Sequence, residues 1–248
     1  MARKNRPAAG DLASGETPSS NPSREGWSED NSLAFLDYGR FFVPDREEQI
    51  ASLVQLVPRS EVQFAVLDLG CGDGLLAEAI LEARPGAAVL GVNRSETMLR
   101  SARERLSRFG KSFSTQALLL EDLHRLRQTP SPLCVVSSLA IHLLDPSQKQ
   151  ALFRTVFALL LPGGALVIAD LVAPAHPLAR QLAADAWDEA VRNCSLALSG
   201  SLEACEVFLE ERWNAHRHLD PDDIDKPSCL ADQLLWLGAA GFVELDVY

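Results

Sequence analysis

The stretch Val66-Leu67-Asp68-Leu69-Gly70-Cys71-Gly72-Asp73-Gly74-Leu75-Leu76-Ala77 reads as a buried strand, a glycine turn and the start of a helix. Gly70 permits the tight turn, and Gly72 lets a ligand approach the backbone where a Cβ would otherwise stand. Gly74 opens a helix whose unpaired amides suit a polar or anionic group. A dinucleotide fingerprint requires its third glycine one residue later, where Leu75 stands, so a nicotinamide or flavin cofactor is disfavoured.

Outward from this loop, short apolar runs alternate with longer amphipathic segments, the pattern of a parallel sheet covered by helices. Strands are predicted over 63–69, 88–92, 115–120, 133–137 and 165–170, and helices over 75–83, 96–109 and 147–160. Pro85-Gly86 and Pro162-Gly163-Gly164 supply the sharp stops. The expected fold is α/β, a doubly wound Rossmann-like sheet with helices on both faces. Asp45 is expected to cap a helix through Leu56, lying over the ligand pocket. After Asp170 a mostly helical insert over about 175–225, carrying Trp187 and Trp213, reads either as a cap over the substrate or as a packing element. A last helix over 228–240 is expected to lead through Gly241 into a strand over 242–248. Residues 1–30, rich in Pro, Ser, Gly, Asn and charge, read as a disordered tail before a domain over 31–248.

The chain has 248 residues, 47% hydrophobic and 23% charged, which suits one well-filled globular domain with extras. Its formal net charge of -11 argues against a nucleic-acid partner, which rests on a Lys/Arg surface. No stretch approaches a membrane span, and a cytoplasmic location is expected. The five cysteines are scattered without a Cys-x-x-Cys pair, favouring reduced thiols and no structural zinc. Cys71 lacks an activating neighbour in sequence and is not expected to be a nucleophile. His216 and His218 with Asp220, Asp222 and Asp223 lack a regular ligand frame, so no metal is expected.

Three further segments complete a pattern: Gly91-Val92-Asn93-Arg94-Ser95-Glu96-Thr97-Met98-Leu99, Ser137-Ser138-Leu139-Ala140-Ile141-His142-Leu143-Leu144, and Leu161-Pro162-Gly163-Gly164-Ala165 before a strand. With the glycine loop and the late Gln233-Leu234-Leu235-Trp236-Leu237, the chain resembles class I S-adenosylmethionine-dependent methyltransferases, from about Phe35 to Tyr248. The resemblance implies S-adenosylmethionine as cofactor and methyl transfer to an unidentified, small-molecule acceptor. It places Asp68, Gly70, Cys71 and Gly72 around the methionine part, and Asn93 at the ribose with Arg94 and Met98 nearby. Asp122 with Leu123 would hold the adenine, and Ser138 with Leu139 the far wall. His142, after the fourth strand, is the tentative general base, since imidazole titrates near neutrality. Tyr38, Arg40 and Gln233 are weaker candidates for the pocket lining, and Trp236 reads as core.

Two departures stand out. The family pattern has an acid where this chain has Asn93, and an amide accepting in place of a carboxylate weakens binding by about tenfold. The family fold also continues past a strand like 242–248 into an antiparallel strand for which no residues follow, so low stability or homo-oligomerisation is expected. Both leave open an alternative, a cofactor-binding module with weak or no turnover.

Overall fold

The structure, a computed structural model, describes residues 26–126, 130–218 and 224–248. Helices α1 (Glu29–Phe42) and α2 (Arg46–Leu56) precede an alternation of β1 (Phe64–Leu69), α3 (Leu75–Ala83), β2 (Ala87–Asn93), α4 (Glu96–Arg105) and β3 (Phe113–Ala117). Then follow β4 (Cys134–Ser138), α5 (Pro146–Leu159), β5 (Ala165–Ala169), α6 (Pro177–Ser199), α7 (Glu203–Glu210) and α8 (Leu230–Ala240). The strands form one sheet in the order β3-β2-β1-β4-β5, every pairing parallel. The sheet is therefore doubly wound, with its order reversing between β1 and β4, the place where ligands bind outside the strands' carboxyl ends.

Alternation along the strands sends side chains to two covered faces. Phe64, Val66, Val89 and Val136 pack with Ile50 and Leu53 of α2 and Leu76 and Ile80 of α3. Leu67, Leu69 and Val135 pack with Leu152, Phe153 and Val156 of α5 and with Trp236 and Leu237 of α8. A third cluster lies off the sheet: Phe41 and Phe42 of α1 meet Val191 of α6 and Phe208 of α7, with Trp187 and Trp213 against them. The insert after β5 is thus helical, its tryptophans pack in a core of its own, and α1 belongs to that core as much as to the sheet domain. Fully burying an aromatic side chain such as Phe42 contributes roughly 1.5–3 kcal/mol.

Several predicted bounds shift. The third strand pairs Phe113 to Ala117 with Val89 to Asn93, two residues earlier than expected, and the chain then turns into a 3-10 segment over Leu120–Arg125. The helix predicted over 96–109 ends at Arg105 and continues as a 3-10 segment through Gly110, whose φ of 54° is one that glycine tolerates. Asp45 does stand before α2, but with φ 56° and no capping hydrogen bond from its side chain. Residues 242–248 are not a strand. Next to β5, Val172 bridges to Ser228 in parallel and the Ala173 amide donates to the Ser228 carbonyl, so the 224–229 segment occupies that flank.

The tail boundary also moves. Residues 1–25 lie outside the described residues, but Ser28 caps α1 with Asn31 in a reciprocal box, and Trp27 stacks edge-on against Phe35 and Trp213. No described helix is long and apolar enough to cross a membrane.

Candidate functional site

The glycine loop joins β1 to α3 at the sheet's carboxyl edge. Gly70, Gly72 and Gly74 have φ of 71°, 54° and 87°, which L side chains rarely adopt. A Cβ at Gly70 would stand 2.2 Å from that of Ala140, whereas one at Gly72 would meet nothing within 4 Å. The first glycine is needed for packing against the β4 turn, and the second leaves open space over the backbone. The Gly70 and Cys71 amides both donate to the Val92 carbonyl, tying the loop to the end of β2, and Arg105 of α4 pairs with Asp73 from outside.

Asp68, the penultimate residue of β1, is 1% exposed, and its Oδ2 has no hydrogen-bond partner. Burial raises its pKa to about 7, against a smaller opposing pull from Arg46. A buried carboxylate oxygen without a donor is costly.

Arg46, the first residue of α2, reaches the same edge. Its Nη1 donates to Gln49 Oε1 and to Ser138 Oγ, and Ser138 Oγ also bonds Gln49 Oε1 at 3.2 Å. Its partners are neutral oxygens, although burial works against its charge while Asp68 and Asp73 attract it. Leu139 follows with φ 54°, its amide donating to the Ala169 carbonyl, so the β4 turn is fixed to the end of β5.

On the β2 side, Asn93 Oδ1 accepts from the Ser95 amide at 2.9 Å, and Ser95 Oγ accepts from the Met98 amide to cap α4. Glu29 of α1 completes this corner: its carboxylate accepts from Ser95 Oγ and from the Glu96 and Thr97 amides at 2.9, 3.2 and 3.3 Å. The Thr97 side chain first, then these bonds, hold it below the ordinary carboxylate range. A helix N-terminus favours such an anion, and the contact joins α1 to the sheet domain.

His142 lies beyond β4, 7% exposed beside Asp170, itself 6% exposed, at the end of β5. Its Nδ1 is bonded by Asp170 Oδ1, its backbone amide donates to Asp170 Oδ2, and its Nε2 stands 3.2 Å from Asp225 Oδ1. Burial opposes the charged ring, but Asp170 and Asp225 outweigh it and raise the pKa to about 10. Lys149 of α5 lies beside this group, donating to the Lys226 carbonyl and Ser228 Oγ; burial lowers its pKa to about 8.

The methyltransferase domain family matches residues 66–164. The trans-aconitate 2-methyltransferase of Variovorax paradoxus is 34% identical over 158 residues, 62% of this chain and 58% of that one. That of Paracidovorax citrulli is 33% identical over 173 residues, 68% and 64%. The chain carries a methyltransferase domain over residues 66–164 and is similar to S-adenosylmethionine-dependent methyltransferases. It spans about three-fifths of the length of the curated relatives it matches. An O-methyltransferase family protein from Burkholderia thailandensis superposes with TM-score 0.60 at 16% identity, over 87% of this chain and 55% of that one, a likeness of fold alone.

Within this methyltransferase fold, the structure brings Asp68, Gly70, Gly72, Asn93, Ser138 and Leu139 to one edge of the sheet. Other expected residues are placed differently. Cys71 turns its thiol under the loop: a Cβ at Gly91 would stand 2.7 Å from its Sγ, and burial raises its pKa, so only its backbone faces the edge. Leu123 is core with Leu67 and Ile141, leaving its main chain alone to meet a ligand. Asp122 sits in the 3-10 segment near Arg125. Met98 is buried, and Arg94 lies exposed with Nη1 3.0 Å from where a Cβ at Gly26 would be. Tyr38 bonds Glu203, and Gln233 bonds the Ser228 carbonyl, so both serve the insert and the sheet flank. Arg40 lies over the Phe41 ring in a cation–π contact, and Trp236 is a core residue as expected. His216 packs edge-on against Trp187, Asp220, Asp222 and Asp223 lie outside the described residues, and among those described no cluster could hold a metal.

Both ring nitrogens of His142 face carboxylates, which favour its charged form over the neutral form a base requires. Arg46, Gln49, Glu29, Asp170 and Asp225 went unread in the sequence. Only Asp170 carried a signal, as a carboxylate at a predicted strand's carboxyl end.

Proposed function

We propose that this chain is an enzyme transferring the methyl group of S-adenosylmethionine to a small-molecule acceptor. The observation that carries the reading is the unpaired, buried Oδ2 of Asp68 beside the open space over Gly72. A donor-rich ligand group fits there, and the amino-acid end of the cofactor has one. The bound cofactor would supply an activated sulfonium methyl group, so the protein's task is alignment. Asp68, Gly70 and Gly72 would surround the methionine part, Asn93 the ribose, the main chain at Asp122 and Leu123 the adenine, and Ser138 with Leu139 the far wall.

Because His142 is held between two carboxylates, the site favours an acceptor atom that carries its own lone pair and has no proton to lose. A carboxylate oxygen meets that condition, and the printed name of the relatives, trans-aconitate 2-methyltransferase, points the same way. The acidic chain supports a small acceptor over a nucleic acid. Its five free cysteines support a reducing, cytoplasmic setting.

Two measurements test this. Calorimetric titration with S-adenosylhomocysteine is expected to give saturable one-site binding in the micromolar range. Incubation with S-adenosylmethionine and a panel of small carboxylic acids, trans-aconitate included, is expected to release S-adenosylhomocysteine with at least one. A folded protein that takes up no S-adenosylhomocysteine refutes the reading. Binding without turnover on any acceptor class would favour the weak or inactive cofactor-binding module, which Asn93 motivates.

A further inference from the structure

A cation stands against its own helix dipole on the inner face of the insert. Arg180, Ala184, Trp187 and Val191 recur along α6 at the spacing of one helical face. Ala184 and Val191 are buried and Trp187 packs in the insert's core. Arg180 therefore continues that inward face beyond the core, toward the end of α6 that follows β5. The first turn of α6 holds no acidic residue, and His176 Nδ1 accepts from the Leu178 amide. A cation this close to a helix N-terminus opposes the macrodipole, and local rules of this kind are broken chiefly at functional sites. The Arg180 side chain is half-buried and makes no hydrogen bond or ion pair with a described residue.

His216 is held beside it. Asn214 Nδ2 donates to the Ala184 carbonyl at 2.9 Å and to Asp188 Oδ1 at 2.7 Å, and Arg217 pairs with Asp185 and Asp188, which fixes the 214–217 turn along α6. His216 packs edge-on against Trp187. Burial, then Arg180, disfavour its charged form against the pull of Asp225, and a neutral imidazole still donates from one nitrogen. The neighbouring carboxylates are already engaged, Asp185 and Asp188 by Arg217, and Asp170 and Asp225 by His142. Because Asp225 reaches both His216 and His142, Arg180 and His216 lie on the side of the insert nearest the carboxyl ends of β4 and β5.

We propose that Arg180, with His216 beside it, binds a carboxylate of the acceptor other than the one methylated, so that the acceptor is a small acid carrying at least two carboxylates. The proposal rests on the carboxylate-acceptor reading above. Methylation of a carboxylate forms an O–C bond with an oxygen lone pair and leaves a neutral ester, with no proton released. A guanidinium held on that same carboxylate would favour the anion over the forming ester, stabilising the ground state more than the transition state. On a second carboxylate, whose charge does not change, the pairing binds substrate and transition state alike and aligns the reacting oxygen.

The test titrates acids calorimetrically into wild type, Arg180→Gln and Arg180→Lys, each saturated with S-adenosylhomocysteine and checked by melting. Fumarate is paired with crotonate and glutarate with valerate, the second of each pair having a methyl group in place of one carboxylate; trans-aconitate is added. At least one polyacid is expected to bind wild type, with the monoacids about tenfold weaker or more. Arg180→Gln should lose about tenfold to a hundredfold for that polyacid, with Arg180→Lys recovering part of the loss, and the monoacids should respond little. Affinity for S-adenosylhomocysteine should not move, and in turnover the loss should fall on acceptor KM with kcat nearly unchanged. Equal losses for polyacid and monoacid, or no loss for either, overturn the proposal. A variant that also loses S-adenosylhomocysteine or its fold gives Arg180 a structural role and overturns it too. If wild type binds S-adenosylhomocysteine but no polyacid, the second-carboxylate site fails while the cofactor reading stands; wild type that binds no S-adenosylhomocysteine sinks that reading itself.

Discussion

Replacing His142 with glutamine removes an imidazolium that two carboxylates face, while keeping a side chain able to donate one hydrogen bond. Asp170 is 6% exposed and Asp225 24%, so the Asp170 contact carries most of the effect and the Asp225 contact is screened. Removing one partner of a buried pair costs roughly 3–5 kcal/mol; the retained hydrogen bond puts the expectation at the lower end. For a chain of this size that corresponds to a drop of roughly 6–12 °C in Tm. The pH dependence has a definite sign. With a folded pKa of about 10 against 6.5 ordinarily, the histidine's stabilisation is fully present below pH 6.5 and is lost as pH rises toward 10. Within that window it falls by about 1.4 kcal/mol per pH unit. Asp68, raised from 3.8 to about 7, also loses stability as pH rises, but below that window's upper part. Lys149, lowered from 10.5 to about 8, gains stability with pH above 8. Both groups are common to wild type and variant, so the difference between the two proteins isolates His142. Melting followed by circular dichroism should show that difference narrowing by roughly 2 kcal/mol between about pH 7 and about pH 8.5. If the two proteins stay parallel over that interval, His142 is not held as an imidazolium and can serve as the base.

Gly70→Ala puts a Cβ 2.2 Å from that of Ala140 at a φ of 71°, and should cost roughly 2–4 kcal/mol in urea unfolding while abolishing S-adenosylhomocysteine binding; a stable variant that still binds would show that the loop relaxes. Asn93→Asp keeps the bond from the Ser95 amide and offers a second, charged oxygen to the ribose. Calorimetry should therefore find S-adenosylhomocysteine bound about tenfold more tightly, and unchanged or weaker binding would place the ribose elsewhere.

The central β1–loop–α3 unit was legible because strand, glycine spacing and helix start coincide within twelve residues, each constraint local. The third strand was misplaced because Ala117-Leu118-Leu119-Leu120 continues the apolar run, and only pairing with β2 decides where the ladder stops. The 242–248 segment has strand-forming residues but no available partner, a fact of tertiary placement. The site divides along the same line. Residues on strand ends were readable from topology, whereas Arg46 meets Ser138 only through the reach of a long side chain from a separate helix. The charge on His142 depends on Asp170 and Asp225, which come together only in the folded chain.

The aromatic seam of the insert makes the protein's light emission selective. Of its four tryptophans, Trp27 and Trp213 stack against each other at 5.8 Å and Trp187 joins Phe208 at 5.5 Å, all where α1 meets α6 and α7. Only Trp236 lies against the sheet. Ultraviolet fluorescence therefore reports chiefly on whether α1 is docked to the insert, and far-ultraviolet dichroism on the whole chain. One molecule thus carries separate optical signatures for its helical insert and for its sheet domain.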